Sequence, residues 1–138
     1  MILLDTDVMI DLLCQYPPAL VWLGSLGEEE TILPGFVVME LIQGARNKAE
    51  QERIEKELRS YGIGWPSSEM CDEALSVFAR YYLSHGLGIL DALIGQMAVA
   101  LDLPLYTFNQ GHYEAIPNLR TMQPYEKGSQ KAVTEETP

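Results

Sequence analysis

The sequence predicts an α/β fold, a mainly parallel sheet with helices on both faces. Three observations point to it. Short apolar runs bounded by Pro, Gly or acids alternate with longer stretches whose apolar residues recur at helical spacing. A length of 138 residues with 47% hydrophobic content suffices for one buried core and excludes disorder throughout. Acids, Thr and Asn stand where the apolar runs end, which is where open parallel sheets place their sites.

The elements follow in order. Residues 1–5 (MILLD) form a buried strand with Asp5 at its C-terminal edge. Asp7 is placed to cap a helix through Val8, Ile10, Leu12 and Leu13, or else to serve as a ligand. Pro17-Pro18 breaks that helix, and a second spans Ala19 to Leu26. Thr31-Ile32-Leu33 is the next strand, followed after Pro34-Gly35 by a helix carrying Val37, Glu40, Leu41 and Gly44. Residues 47–60 are charged, with Ile54 and Leu58 on one stripe, so they form a surface helix. Gly62-Ile63-Gly64-Trp65 is a short strand. Ser67 or Ser68 then caps a long helix carrying Ala74, Leu75, Phe78, Tyr81 and Tyr82, its aromatic residues expected in the core, and His85-Gly86 ends it. The segment 89–101 (ILDALIGQMAVAL) is a helix apolar nearly all round. Residues 104–108 form a fourth strand, residues 110–115 a turn of helix, and Leu119 to Met122 a fifth strand at the sheet edge. The folded domain is expected over residues 1–125, with a flexible tail over 126–138.

Composition narrows the function. A formal net charge of −11 argues against a protein that coats nucleic acid, since nonspecific affinity comes from neutralising phosphate. It leaves room for an enzyme that meets phosphate through a bound cation, which reverses the local sign. No apolar run approaches a membrane span, the N-terminus has no signal-peptide pattern, and a cytoplasmic protein is expected. Cys14 and Cys71 are expected as free thiols, one or both buried.

Four positions carry the chemistry. Asp5 follows the first strand, Glu40 lies in an otherwise apolar helix, Asp91 in the most apolar helix, and Asn109 after the fourth strand. A buried carboxylate without a partner is costly, and no basic residue occurs between Tyr81 and Leu119 except His85 and His112. A shared hard cation, Mg²⁺ or Mn²⁺, satisfies such oxygens and makes water a better nucleophile toward a phosphodiester. Asp5, Asp91 and Glu40 are therefore the expected metal ligands, with Asn109, Asp7 and Thr107 in support. Arg46 and His112 are candidates to contact RNA phosphate; for each the plainer role is an ordinary surface side chain. Asp5→Asn or Asp91→Asn is expected to abolish cleavage and leave the fold intact, by relief of like-charge repulsion.

The segments ILLDTDVMIDLL (2–13), MELIQGAR (39–46), GILDALIGQMAVALDLPLYTFN (88–109) and IPNLRTMQP (116–124), in this order and at these distances, resemble the PIN domain, in particular the VapC-type toxins of toxin–antitoxin pairs. The resemblance implies an α/β/α sandwich, often a homodimer, and Mg²⁺- or Mn²⁺-dependent endoribonuclease activity. It implies a cognate antitoxin as partner, placing a basic or amphipathic segment over the acidic site. Asp5, Glu40 and Asp91 match the three most regular acids of the family, Asn109 the fourth, Thr107 the usual Thr or Ser, and Asp7 the polar residue two after the first acid.

Two alternatives compete. A PIN fold acting mainly as a binding module would have a weak or lost nuclease. A phosphatase of the haloacid-dehalogenase type also begins with a strand and Asp-x-Asp, but needs a Lys after a later strand, and Lys48, Lys56, Lys127 and Lys131 lie on a charged helix or near the C-terminus.

Overall fold

In a computed structural model, which describes residues 1–127, the chain forms five strands and seven helices among those residues. The strands are β1 (Ile2–Leu4), β2 (Thr31–Pro34), β3 (Gly62–Gly64), β4 (Leu105–Tyr106) and β5 (Thr121–Met122). The helices are α1 (Thr6–Leu13), α2 (Pro17–Ser25), α3 (Gly35–Gln43), α4 (Lys48–Leu58), α5 (Ser68–His85), α6 (Ile89–Leu101) and the one-turn α7 (Gln110–Tyr113).

All five strands join one sheet in the order β3-β2-β1-β4-β5, and every pairing is parallel. β1 is central, with Leu3 opposite Ile32 on one side and Leu105 on the other. A strand in that place is covered on both faces, and Leu3 and Leu4 are wholly buried; this is why β1 is apolar without alternation. The sheet grows from β1 through β2 to β3 and then crosses back to β4. Right-handed crossovers therefore put α1 to α4 over one face and α5 to α7 over the other. Packing agrees: α1 meets α2 and α3, α3 meets α4, and α6 meets α5 and α7.

Local signals set most boundaries. Ser67 caps α5 by accepting the Met70 N–H at 3.2 Å, and Gly86 closes it in the left-handed conformation at φ 66°. Asn47 caps α4 through the Glu50 N–H at 2.8 Å. Four expectations need correction. α1 begins two residues early, at Thr6, and its N-cap is Asp5, not Asp7, because Asp7 is drawn away to the end of β4. α2 begins at Pro17, not Ala19, since a proline in the first turn needs no N–H and already has helical φ. On α5 only Ala74 is fully buried; Phe78 and Tyr81 pack partly against the core, while Leu75 and Tyr82 face outward. Both cysteines are free, Cys14 exposed and Cys71 half-buried, so neither is the buried thiol expected.

The stretch expected as a tail begins inside the described residues. There Lys127 approaches Asp11 of α1 to 2.8 Å and stands over the Phe108 ring at 4.2 Å, and the neighbouring Tyr125 hydroxyl donates to the same Asp11 oxygen. The rest of that expected tail, residues 128–138, lies outside the described residues. Among the described residues, no helix is long and apolar enough to cross a membrane.

Candidate active site

The direction of chain crossover changes between β1 and β4, and the carboxyl ends of these two strands open one crevice. Asp5 leaves β1 there and Thr107 leaves β4.

Asp5 is 6% exposed and Thr107 wholly buried. One oxygen of Asp5, Oδ1, accepts the Thr6 N–H at 2.8 Å. The other, Oδ2, accepts two hydroxyls, Thr107 Oγ1 and Tyr113 OH, each at 2.9 Å. The Thr107 oxygen in turn accepts the Asn109 N–H at 3.0 Å. Asp7 reaches the same strand end: its Oδ2 accepts the Phe108 N–H at 2.9 Å and its Oδ1 the Val8 N–H at 2.8 Å. Both acids of the Asp-x-Asp pair are thus fastened to the end of β4.

Asp91 is the third residue of α6, whose N-cap is Gly88. Its carboxylate folds back over that cap: a Cβ on Gly88 would lie 3.1 Å from Asp91 Oδ2, close enough that the carboxylate would have to give way slightly. Burial pushes the Asp91 carboxyl up and the charge of Asp5 adds to this, while His112 and the Gly88 N–H work the other way. Asp7 is likewise raised, first by burial, then by Asp5, against the Phe108 and Val8 N–H groups and Lys127. Tyr113 is pushed far above the usual phenol range by burial and then by Asp5, Asp91 and Asp7. Its hydroxyl stays protonated and lies where the fields of three carboxylates overlap.

The remaining candidates are placed as follows. Glu40 accepts the Thr6 hydroxyl at 2.9 Å, which ties α3 to the first residue of α1 beside Asp5. It also borders a groove of about 270 Å³ lined by Ile10, Leu13, Leu41 and Ile54. Asn109 is exposed, and its backbone, not its side chain, enters the bonds given above. His112 is exposed and close enough to Asp91 to act on its charge. Arg46 is exposed and paired with Glu50 at 3.2 Å, and it is not among the groups that perturb Asp7 or Asp91. Thr6 and Tyr113 join the site without having been anticipated. Thr6 lies between two acids, which is a signal of sorts, but nothing in the sequence separates Tyr113 from a core aromatic.

Among the described residues, no three His, Cys, Asp or Glu side chains converge into a ready-made cage. Asp5, Glu40 and Asp91 are therefore not gathered into a closed triad. What is present fits a hard divalent ion held by one or two carboxylates and water. Asp5 raises both its acidic neighbours, and among the described residues only His112 and Lys127 offset them by charge. Oxygen donors that repel one another in a crevice suit Mg²⁺ or Mn²⁺ better than zinc, which favours nitrogen and sulfur.

Comparison with known proteins is consistent with this geometry. The family model described as PIN domain matches residues 2–116. Comparison with curated protein sequences gives no match. Among solved structures, a toxin–antitoxin complex from Klebsiella pneumoniae is similar at TM-score 0.74 and 24% identity, over 91% of this chain and 99% of that one. VapBC2 from Rickettsia felis, bound to a DNA fragment from its promoter, has TM-score 0.77 and 21% identity over 91% of this chain and 100% of that one. VapBC-1 from nontypeable Haemophilus influenzae has TM-score 0.75 and 22% identity, again over 91% and 100%.

Proposed function

The chain belongs to the PIN-domain family, and from that premise we propose that it is a metal-dependent endoribonuclease, the toxin of a toxin–antitoxin pair. The observation that carries the proposal is the cluster at the ends of β1 and β4. Asp5 raises both Asp7 and Asp91 there, and among the described residues no Lys or Arg other than Lys127 offsets them. Carboxylates kept this close without a full counter-charge only lower stability unless something cationic binds.

Asp5 and Asp91 are the residues to hold the ion, Mg²⁺ or Mn²⁺, with Glu40 acting from the second layer through Thr6. When bound, the ion supplies charge stabilisation at the phosphate and an acidified water. Asp7 and Thr107 keep the Asp5 carboxylate and the β4 end in register. Asn109 sits at the rim, where its free amide can meet substrate, and His112 can meet a phosphate oxygen. Arg46, committed to Glu50, is the weaker candidate for RNA contact.

The partner proposal rests on the neighbours, several of which are toxin–antitoxin complexes, some with DNA. A cognate antitoxin with a basic segment would complement the acidic crevice, and the apolar groove beside Glu40 would take an amphipathic stretch of it. A homodimer and a cytoplasmic location complete the proposal.

Cleavage of a mixed RNA pool with Mg²⁺, Mn²⁺ or EDTA, beside Asp5→Asn, tests it. Metal-dependent cleavage lost in the variant supports the nuclease. Absence of cleavage with either metal moves the assignment to a PIN-fold binding module.

A further inference from the structure

We propose that Tyr113 is a positioning residue of the acidic site: its hydroxyl fixes the Asp5 carboxylate and so sets how tightly the site takes a divalent cation. The inference rests on the nuclease proposal and deepens it.

Three donors from three elements hold Asp5. Thr6, at the start of α1, bonds Oδ1, while Thr107 after β4 and Tyr113 on α7 both bond Oδ2. Each carboxylate oxygen has two lone pairs, so Oδ2 is fully engaged and only Oδ1 keeps spare acceptor capacity. Removing the Tyr113 hydroxyl would open Oδ2 and release the orientation of the carboxylate.

The hydroxyl is not explained by packing. Tyr113 is 2% exposed, and a phenylalanine would fill the same core volume. A buried hydroxyl is costly unless bonded, and among the described residues its bond is to Asp5. Burial and the surrounding carboxylates keep it protonated, hence always a donor.

The backbone is shaped to bring it there. Gly95 lies one turn after Asp91 on α6, on the same face. A Cβ at Gly95 would stand 2.4 Å from Ile116 Cδ1 and 3.4 Å from Tyr113 Cδ1. The missing side chain lets α7 and the turn after it settle on α6. The helix that carries Asp91 thereby also seats the ring that holds Asp5.

The test is thermal melting of wild type, Tyr113→Phe and Tyr125→Phe across a Mn²⁺ series, with a metal-free baseline. Tyr125→Phe is the control, since it also deletes a hydroxyl bonded to an aspartate, Asp11, that is not proposed to hold the ion. In Tyr113→Phe the Mn²⁺ concentration giving half the stabilisation should rise about 10- to 100-fold, the usual cost of losing a partner that orients a ligand. In Tyr125→Phe the metal-free Tm should fall while that concentration stays put. If Tyr113→Phe lowers the metal-free Tm but leaves the Mn²⁺ dependence where it was, the hydroxyl is only a core contact and the proposal is overturned. If wild type itself gains nothing from Mn²⁺ and cleaves no RNA, the nuclease proposal fails and this one falls with it.

Discussion

The hydroxyl of Thr107 donates to Asp5 Oδ2 at 2.9 Å, joining residues 102 positions apart in the chain. Both partners are buried, and the bond ties the end of β1 to the end of β4 across the line where the sheet changes direction. Thr107→Val keeps the volume, removes the donor to Asp5 and strands the Asn109 N–H. Urea denaturation should show a loss of about 1–3 kcal/mol, the cost of leaving buried polar groups unpaired. A loss too small to measure would mean that water replaces the hydroxyl and that the bond does not hold the strand ends.

Asp5→Asn and Asp91→Asn should both reduce RNA cleavage by more than about 100-fold, beyond what loss of an outer partner costs. Their stabilities should diverge, contrary to the simple expectation of charge relief for both. Around Asp5 every contact is a donor, so an amide must turn its NH₂ toward the two hydroxyls or toward the Thr6 N–H. Asp5→Asn should therefore lower metal-free stability by about 1–3 kcal/mol. Asp91→Asn relieves a carboxyl that burial and Asp5 already destabilise, and it should melt at or above the wild-type temperature. Equal shifts in the two variants would contradict the donor pattern around Asp5.

The same acids give a pH dependence with a definite sign. Asp7 and Asp91 have folded-state pKa values above their ordinary 3.8, so the folded chain binds protons more tightly than the unfolded one. Their contribution is present while they are protonated and is lost as pH rises from the ordinary carboxylate range through the raised values. Without metal, the fall in stability over that rise should be shallower in Asp7→Asn and Asp91→Asn than in wild type. Melts in chelator across mildly acid to neutral pH measure it, and an unchanged slope in both variants would speak against the raised values.

Gly95→Ala sets two effects against each other. Alanine favours a helix interior by roughly 1 kcal/mol over glycine. The new methyl would meet Ile116 at 2.4 Å and Leu119 at 3.3 Å, and Ile116 is itself buried and cannot swing aside freely. Overpacking of that kind costs about 1–3 kcal/mol, so net destabilisation is expected in a denaturant titration. A more stable variant would show that α7 can shift outward at little cost.

Much of the fold could be read from residues alone, because its signals are local. The five strands and their connecting helices follow from short apolar runs set among helical periodicities, and Ser67 and Gly86 mark the ends of α5 as their chemistry requires. The error over the cap of α1 falls where a distant group decides. Asp5 and Asp7 are equally good caps by type; Asp5 takes the role because Phe108, 101 residues on, claims Asp7. The acids of the crevice were legible as charges in apolar surroundings. Tyr113 was not, because its hydroxyl finds its purpose only in a partner 108 residues away. Glu40 was legible as an acid out of place, but its link through Thr6 was not, since a threonine between two aspartates carries no sign of which way it turns.

β1 precedes the other four strands yet lies in the middle of the sheet, and this has a consequence for synthesis. Asp5 is synthesised well before the groups that bond its Oδ2, which are at 107 and 113. Closing so long a loop carries an entropic cost that cannot be met before the later contacts exist. A growing chain that stops short of Tyr113 holds its first carboxylate without the bonds that aim it. Whatever chemistry the crevice performs, it should therefore be silent in the nascent chain and begin only once the last strands have emerged. If the chain cleaves RNA as proposed, that delay would keep it from acting during its own synthesis.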